Sequence, residues 1–125
     1  MEVVIEYEKA AGRQVDDVHE KNLGYDLTSL DPQSGELRLI EVKGLGEAAG
    51  RILLTPNERR VAEDRRDCYW LYVVTNCKTT PQLQEPVKDP ARFPWHEVKK
   101  VDHYYLSVDA LTHQMGVQDG PSHGP

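Results

Sequence analysis

Apolar residues enter the chain at helical period. Val3, Val4, Tyr7, Ala10 and Ala11 of "EVVIEYEKAA" fall at i, i+1, i+4, i+7 and i+8, and Gly12 follows. The stripe predicts a helix over 2–11 that stops at the glycine. No capping residue precedes it, so the chain reads as a piece of something longer. The period then changes. "RQVDDVH" and "LGYDLTSLD" are short strand-like runs, and "GELRLIEVKG" is a longer one in which Ile40 and Val42 alternate with Leu39, Glu41 and Lys43. Between the last two, "DPQSGE" places proline early and glycine late, the chemistry of a hairpin turn.

"LTPNERRVAEDRR" opens a second helix, predicted over 56–66. Thr55 is its cap, Pro56 its first helical residue, and the Glu58 carboxylate reaches back to the cap N–H. "YWLYVVTN" is apolar enough to be a strand buried on both faces. The predicted order is therefore helix, three strands, helix, strand. The crossover through the second helix makes the last two of these strands a parallel pair in an otherwise antiparallel sheet. Beyond Asn76, "TTPQLQEPVKDPARFP" is broken by prolines and predicts loop with one short edge strand. "VDHYYLSVDALTHQMG" predicts a strand and a short helix capped by Ser107. Residues 1–116 then form one domain of mixed α/β (α+β) class, with a disordered tail over 117–125.

Composition narrows the class. A chain of 125 residues, 38% hydrophobic and 29% charged, suits one soluble globular domain. No apolar run approaches the roughly 20 residues of a membrane span, and the N-terminus lacks a signal-peptide pattern. The expected setting is the cytoplasm, with no membrane partner. Cys68 and Cys77 bracket the apolar strand, which holds them roughly 30 Å apart, too far for a disulfide. They are expected to be free thiols, and without paired Cys or His motifs no zinc site is expected. The net charge of −6 counts against an autonomous grip on nucleic acid, although cations held by acidic residues, or a larger partner, can supply positive charge.

The hairpin brings charges together. If Asp31 and Glu36 close it, Asp26 pairs with Glu41, with Cβ atoms about 4.5 to 5.5 Å apart. Lys43 lies on the same face, about 6 to 7 Å beyond Glu41. Two opposed carboxylates repel unless one is protonated or a cation sits between them. Mg²⁺ or Mn²⁺ fits, since a hard cation needs only one or two carboxylates, with the Val42 carbonyl, waters and substrate phosphate completing its shell. Lys43 beside it suits activation of water or stabilisation of phosphate charge, the requirements of phosphodiester hydrolysis. The plainer reading is a set of solvated charges on an open hairpin. Against it, Leu37 and Leu39 share the face of Glu41 and the second helix covers part of it.

Other features leave two readings each. "KGLGEAAGR" puts three glycines and Arg51 after Lys43, either to let backbone approach a phosphate or as a mobile connector. Asn57 either touches substrate or supports its turn. Arg59, Arg60, Arg65 and Arg66 make the second helix basic, but Glu63, Asp64 and Asp67 are spaced to neutralise it. Trp70 and Tyr72 read as core.

The set "GYD", a strand, then "IEVKG", in this order of elements, resembles the PD-(D/E)XK nuclease superfamily of restriction-endonuclease-like fold. The longer run "YEKAAGRQVDDVHEKNLGYDLTSLDPQSGELRLIEVKG", with "LTPNE" and "YWLYVV", resembles the NO VEIN C-terminal type of domain found at the end of helicase-related proteins, over residues 2 to about 112. Tyr25 stands where the superfamily name has proline. The resemblance implies that Asp26 and Glu41 are metal ligands and Lys43 the catalytic lysine, with a further ligand from the first helix at Glu8, or less favourably Glu6. It implies a Mg²⁺-dependent nuclease acting on DNA with a helicase-related or restriction partner. The competing expectation is a non-catalytic module of the same fold that binds nucleic acid or docks to a helicase.

Overall fold

The computed structural model describes residues 1–111. α1 (Glu2–Ala10) ends as predicted, with Gly12 at φ +85°. Its buried line differs from the predicted stripe. Val4 and Glu8 are buried, one turn apart, and Ile5 packs on the core, while Tyr7, Ala10 and Ala11 face out. Spacing alone does not show Glu8 buried, because two of the three donors that satisfy it come from distant strands.

β1 (Gln14–Asp17), β2 (Leu27–Leu30) and β3 (Leu37–Gly44) form the antiparallel meander. The hairpin closes where its turn residues place it. Asp31 N–H donates to the Glu36 carbonyl at 2.9 Å, and the ladder runs from Leu30 opposite Leu37 to Leu27 opposite Ile40. β2 is shorter than the predicted strand because Gly24 has φ +90° and lies against the second helix. A Cβ there would stand 2.7 Å from Val61 Cγ2, so only glycine fits.

α2 (Pro56–Asp64) has the predicted capping box, with both reciprocal bonds formed. β4 (Tyr69–Thr75) then pairs in parallel with β3, from Leu39 opposite Tyr69 to Gly44 opposite Val74. The single predicted edge strand is two short pieces, β5 (Gln82–Leu83) and β6 (Val87–Lys88), both antiparallel to β4. The result is a six-stranded mixed sheet of α+β class, in the order β1-β2-β3-β4-β5 with β6 also on β4.

Strand alternation divides the core. On one face, α1 packs Val4 against Leu27, Ile40, Tyr72 and Val74. On the other, α2 packs Ala62 against Leu39 and Tyr69, with Tyr25, Val61 and Cys68 around them. Tyr72 is core as expected; Trp70 is half-buried, with the Arg38 guanidinium 3.8 Å over its ring. Cys68 and Cys77 are both free thiols.

The chain divides after Trp95 into two compact units, and every element above belongs to the first. In the second, residues 96–107 form no strand, and the strand predicted from "VDHYYL" is absent: alternation alone cannot make a strand without a partner ladder. A helix begins at Val108, and Ala110 N–H donates to the Ser107 carbonyl at 3.0 Å. The remainder of the predicted helix, and the predicted tail, lie outside the described residues. Among the described residues, no helix is long and apolar enough to cross a membrane.

Candidate functional site

Glu41 sits in mid-β3 on the face covered by α2, between Leu39 and Lys43, and is only 2% exposed. Its Oε2 is 3.2 Å from Lys43 Nζ. Its Oε1 is buried and has no hydrogen-bond partner among the described residues. An unpaired buried carboxylate oxygen is costly, and ionisation makes it costlier. Burial, reinforced by the charges of Asp26 and Glu58, pushes the Glu41 pKa up to about 8 against the pull of Lys43. Burial and its acidic neighbours thus favour the protonated form of Glu41, one of the two ways in which close carboxylates coexist.

Asp26 lies one residue before β2 and departs from the simple opposition to Glu41 predicted by the hairpin. Its N–H donates at 2.8 Å to the Ile40 carbonyl, although Ile40 is the ladder partner of Leu27. Its Oδ2 accepts the Val42 N–H at 2.8 Å, and its carbonyl accepts the Val18 N–H at 2.8 Å. The carboxylate is thus lodged against the backbone of β3 beside Glu41. Since a residue's N–H and C=O point the same way in an extended strand, the Val42 carbonyl is also directed to the Asp26 side.

Lys43 Nζ is held twice, by Glu41 Oε2 and by Glu58 Oε1 at 2.9 Å. Burial lowers the Lys43 pKa, but its bonds to the two carboxylates outweigh that and leave it above its ordinary value. Glu58 Oε1 also accepts the Thr55 N–H at 3.0 Å. Burial raises the Glu58 pKa, and the Thr55 N–H and Lys43 more than reverse it. Sequence reading assigned Glu58 to the cap alone. Its second role arises because the connector of residues 45–55 returns the helix start over the strand it leaves, which the spacing of residues does not reveal.

Glu8 is not part of this cluster, which corrects its assignment as a metal ligand. It is fully buried on the α1 face of the sheet, opposite to Glu41 and Lys43. Tyr72 Oη donates to its Oε2 at 2.6 Å, Arg13 Nη1 to the same oxygen at 3.0 Å, and Ser29 Oγ to its Oε1 at 2.9 Å. Both oxygens are engaged in holding α1 to the sheet. Glu6 is exposed on the outer side of α1.

Asn57 takes its structural reading. Its Oδ1 accepts from Arg60 at 2.6 Å and its Nδ2 reaches the Asn22 carbonyl at 3.5 Å, which braces the loop before Asp26. Arg51 is exposed in the connector between Lys43 and Thr55. The basic helix is largely neutralised: Arg59 meets Glu63 at 3.6 Å, Arg60 meets Asp64 at 3.7 Å, and Arg66 meets Asp89 at 3.0 Å.

Among the described residues, no group of three or more His, Cys, Asp or Glu side chains is arranged as a ready-made metal cage. Two carboxylates and a backbone carbonyl still suit Mg²⁺ or Mn²⁺, which bind oxygen and keep several waters. The unpartnered Glu41 Oε1 fits such a guest: it is a hard oxygen whose lone pairs no protein donor occupies. The residues present are therefore compatible with a hard divalent cation held by Asp26, Glu41 and Val42.

Fold and cluster together define an α+β domain whose mixed sheet carries a buried glutamate and a partly exposed lysine, Glu41 and Lys43, under its second helix. The chain belongs to the family described as Protein NO VEIN, C-terminal, whose family model matches residues 1–86. No curated protein and no solved structure matches the chain.

Proposed function

We propose that this chain is a metal-dependent nuclease domain that hydrolyses DNA phosphodiester bonds, as its resemblance to the PD-(D/E)XK superfamily implies. The observation that carries the reading is the buried Glu41 carboxyl with one oxygen unpartnered, beside Asp26 and Lys43. Stability alone does not favour such a group, and strongly shifted carboxyls in a charged cluster mark functional sites. The order helix, three strands, helix, strand also agrees with the expected restriction-endonuclease-like core.

Asp26, Glu41 and the Val42 carbonyl hold Mg²⁺ or Mn²⁺, which supplies Lewis acidity toward water and phosphate. Lys43 offsets charge that develops on the phosphate oxygens and keeps the attacking water oriented. Arg51, on the exposed glycine-rich connector, meets the phosphate backbone of the substrate. The net charge of −6 and the neutralised helix leave little to draw DNA in, so a helicase-related domain or protein delivers it, in the cytoplasm where thiols stay reduced.

The neutralised helix and the ion-paired Lys43 also favour a second reading, a non-catalytic module that docks to such a partner. Cleavage of single- and double-stranded DNA separates the two, at high protein and low salt with Mn²⁺ or Mg²⁺. The nuclease reading expects weak cutting that falls roughly 10²-fold or more in Lys43→Ala. Cutting undiminished in that variant, or none by the wild type joined to its natural neighbour, overturns it.

A further inference from the structure

We infer that Glu58 is a positioning residue of this site: its carboxylate holds the Lys43 ammonium beside Glu41, and the capping box of α2 in turn holds Glu58. The inference rests on the nuclease reading for its catalytic consequence and on geometry alone for the positioning. Lys43 Nζ is closer to Glu58 Oε1, at 2.9 Å, than to Glu41 Oε2, at 3.2 Å. The same Glu58 oxygen accepts the Thr55 N–H at 3.0 Å, while Thr55 Oγ1 accepts the Glu58 N–H at 3.1 Å. The Thr55 N–H thus holds the Glu58 side chain, and the Thr55 hydroxyl its backbone, at the start of a helix that Pro56 pre-forms.

A lysine is a compact charge on a flexible stem, so its usefulness depends on what restrains it. Without Glu58, only the Glu41 contact restrains Lys43. Glu41 is itself the residue assigned to the cation, and its other oxygen already lacks a partner. Glu58 therefore gives Lys43 a second anchor, supplied by α2 rather than by the carboxylates assigned to the cation. A capping glutamate needs only the cap N–H; the shared oxygen shows this one serving two donors, one of them a side chain of the sheet.

The test compares Glu58→Ala, Glu58→Gln and Thr55→Ala in the full chain with two readouts. The first is the isotope-labelled Lys43 ammonium signal by NMR, visible when bonds to carboxylates slow its exchange with water. The second is kcat and KM for DNA cleavage. Glu58→Ala is expected to lose the signal and lower kcat about tenfold or more with KM little changed, because the lysine is misplaced rather than the substrate lost. Glu58→Gln keeps an accepting oxygen and is expected to recover part of both. Thr55→Ala weakens the same cap but keeps the backbone N–H that Glu58 uses, so signal and kcat are expected to stay near wild type.

An ammonium signal unchanged in Glu58→Ala overturns the inference. So does an equal kcat loss in Thr55→Ala and Glu58→Ala, which would make the effect one of helix stability. If the wild type cleaves nothing, the nuclease reading fails, and the ammonium signal still decides whether Glu58 holds Lys43.

Discussion

Tyr72 Oη stands 2.6 Å from Glu8 Oε2, which ties the first helix to the central strand on the sheet face away from Glu41. A buried carboxylate with three donors is a structural group, and its removal leaves Arg13, Ser29 and Tyr72 facing an unpaired interior. Glu8→Ala is expected to cost about 3 kcal/mol or more in urea unfolding. The rise in melting temperature on adding Mn²⁺ is expected to survive wherever the variant folds. Loss of that response in a folded Glu8→Ala protein would return Glu8 to the metal site.

Glu41 sets a pH dependence whose sign follows from its shift. Its native pKa of about 8 lies above the ordinary carboxyl value of 4.5, so between these values the native state binds more protons than the unfolded chain. Its contribution to stability is full below the lower value, declines as pH rises and is lost through about 8. Unfolding followed from pH 5 to 9 should show this decline. Glu41→Gln should flatten it and match or exceed the wild type at the alkaline end.

Cation binding runs the other way with pH, because Glu41 must give up its proton to become a ligand. The rise in melting temperature with Mn²⁺ is expected to grow from pH 6 to 8.5. Asp26→Asn should abolish it while leaving the metal-free protein as stable or more so, since the amide oxygen still accepts the Val42 N–H and a repulsion is gone. Equal metal responses in both proteins would place the cation elsewhere.

Gly24 carries the approach of the Asp26 loop to α2. Gly24→Ala combines φ +90° with a Cβ 2.7 Å from Val61 Cγ2 and is expected to cost about 2 kcal/mol or more. Gly35→Ala, also at positive φ but in open space, should cost less. Adding Val61→Ala to Gly24→Ala should recover the steric part. Thermal unfolding of the four proteins checks this, and equal losses in the two single glycine variants would refute the close approach.

The amino-acid sequence determined the features that neighbours in the chain can settle. The turn at Asp31 to Glu36 set the hairpin register, Thr55, Pro56 and Glu58 set the start of α2, and alternation along β3 placed Glu41 and Lys43 on one face. Each depends on local backbone preference or on a period that a few residues reveal. The tertiary structure decided the rest. Glu8 turned inward because donors from β2 and β4 met it there, and Asp26 left the ladder where Gly24 meets Val61. Glu58 gained Lys43, and "VDHYYL" gained no partner strand. In each case the outcome turned on which distant group could satisfy a charge, a backbone bond or a volume, and residue spacing along the chain carries no record of that.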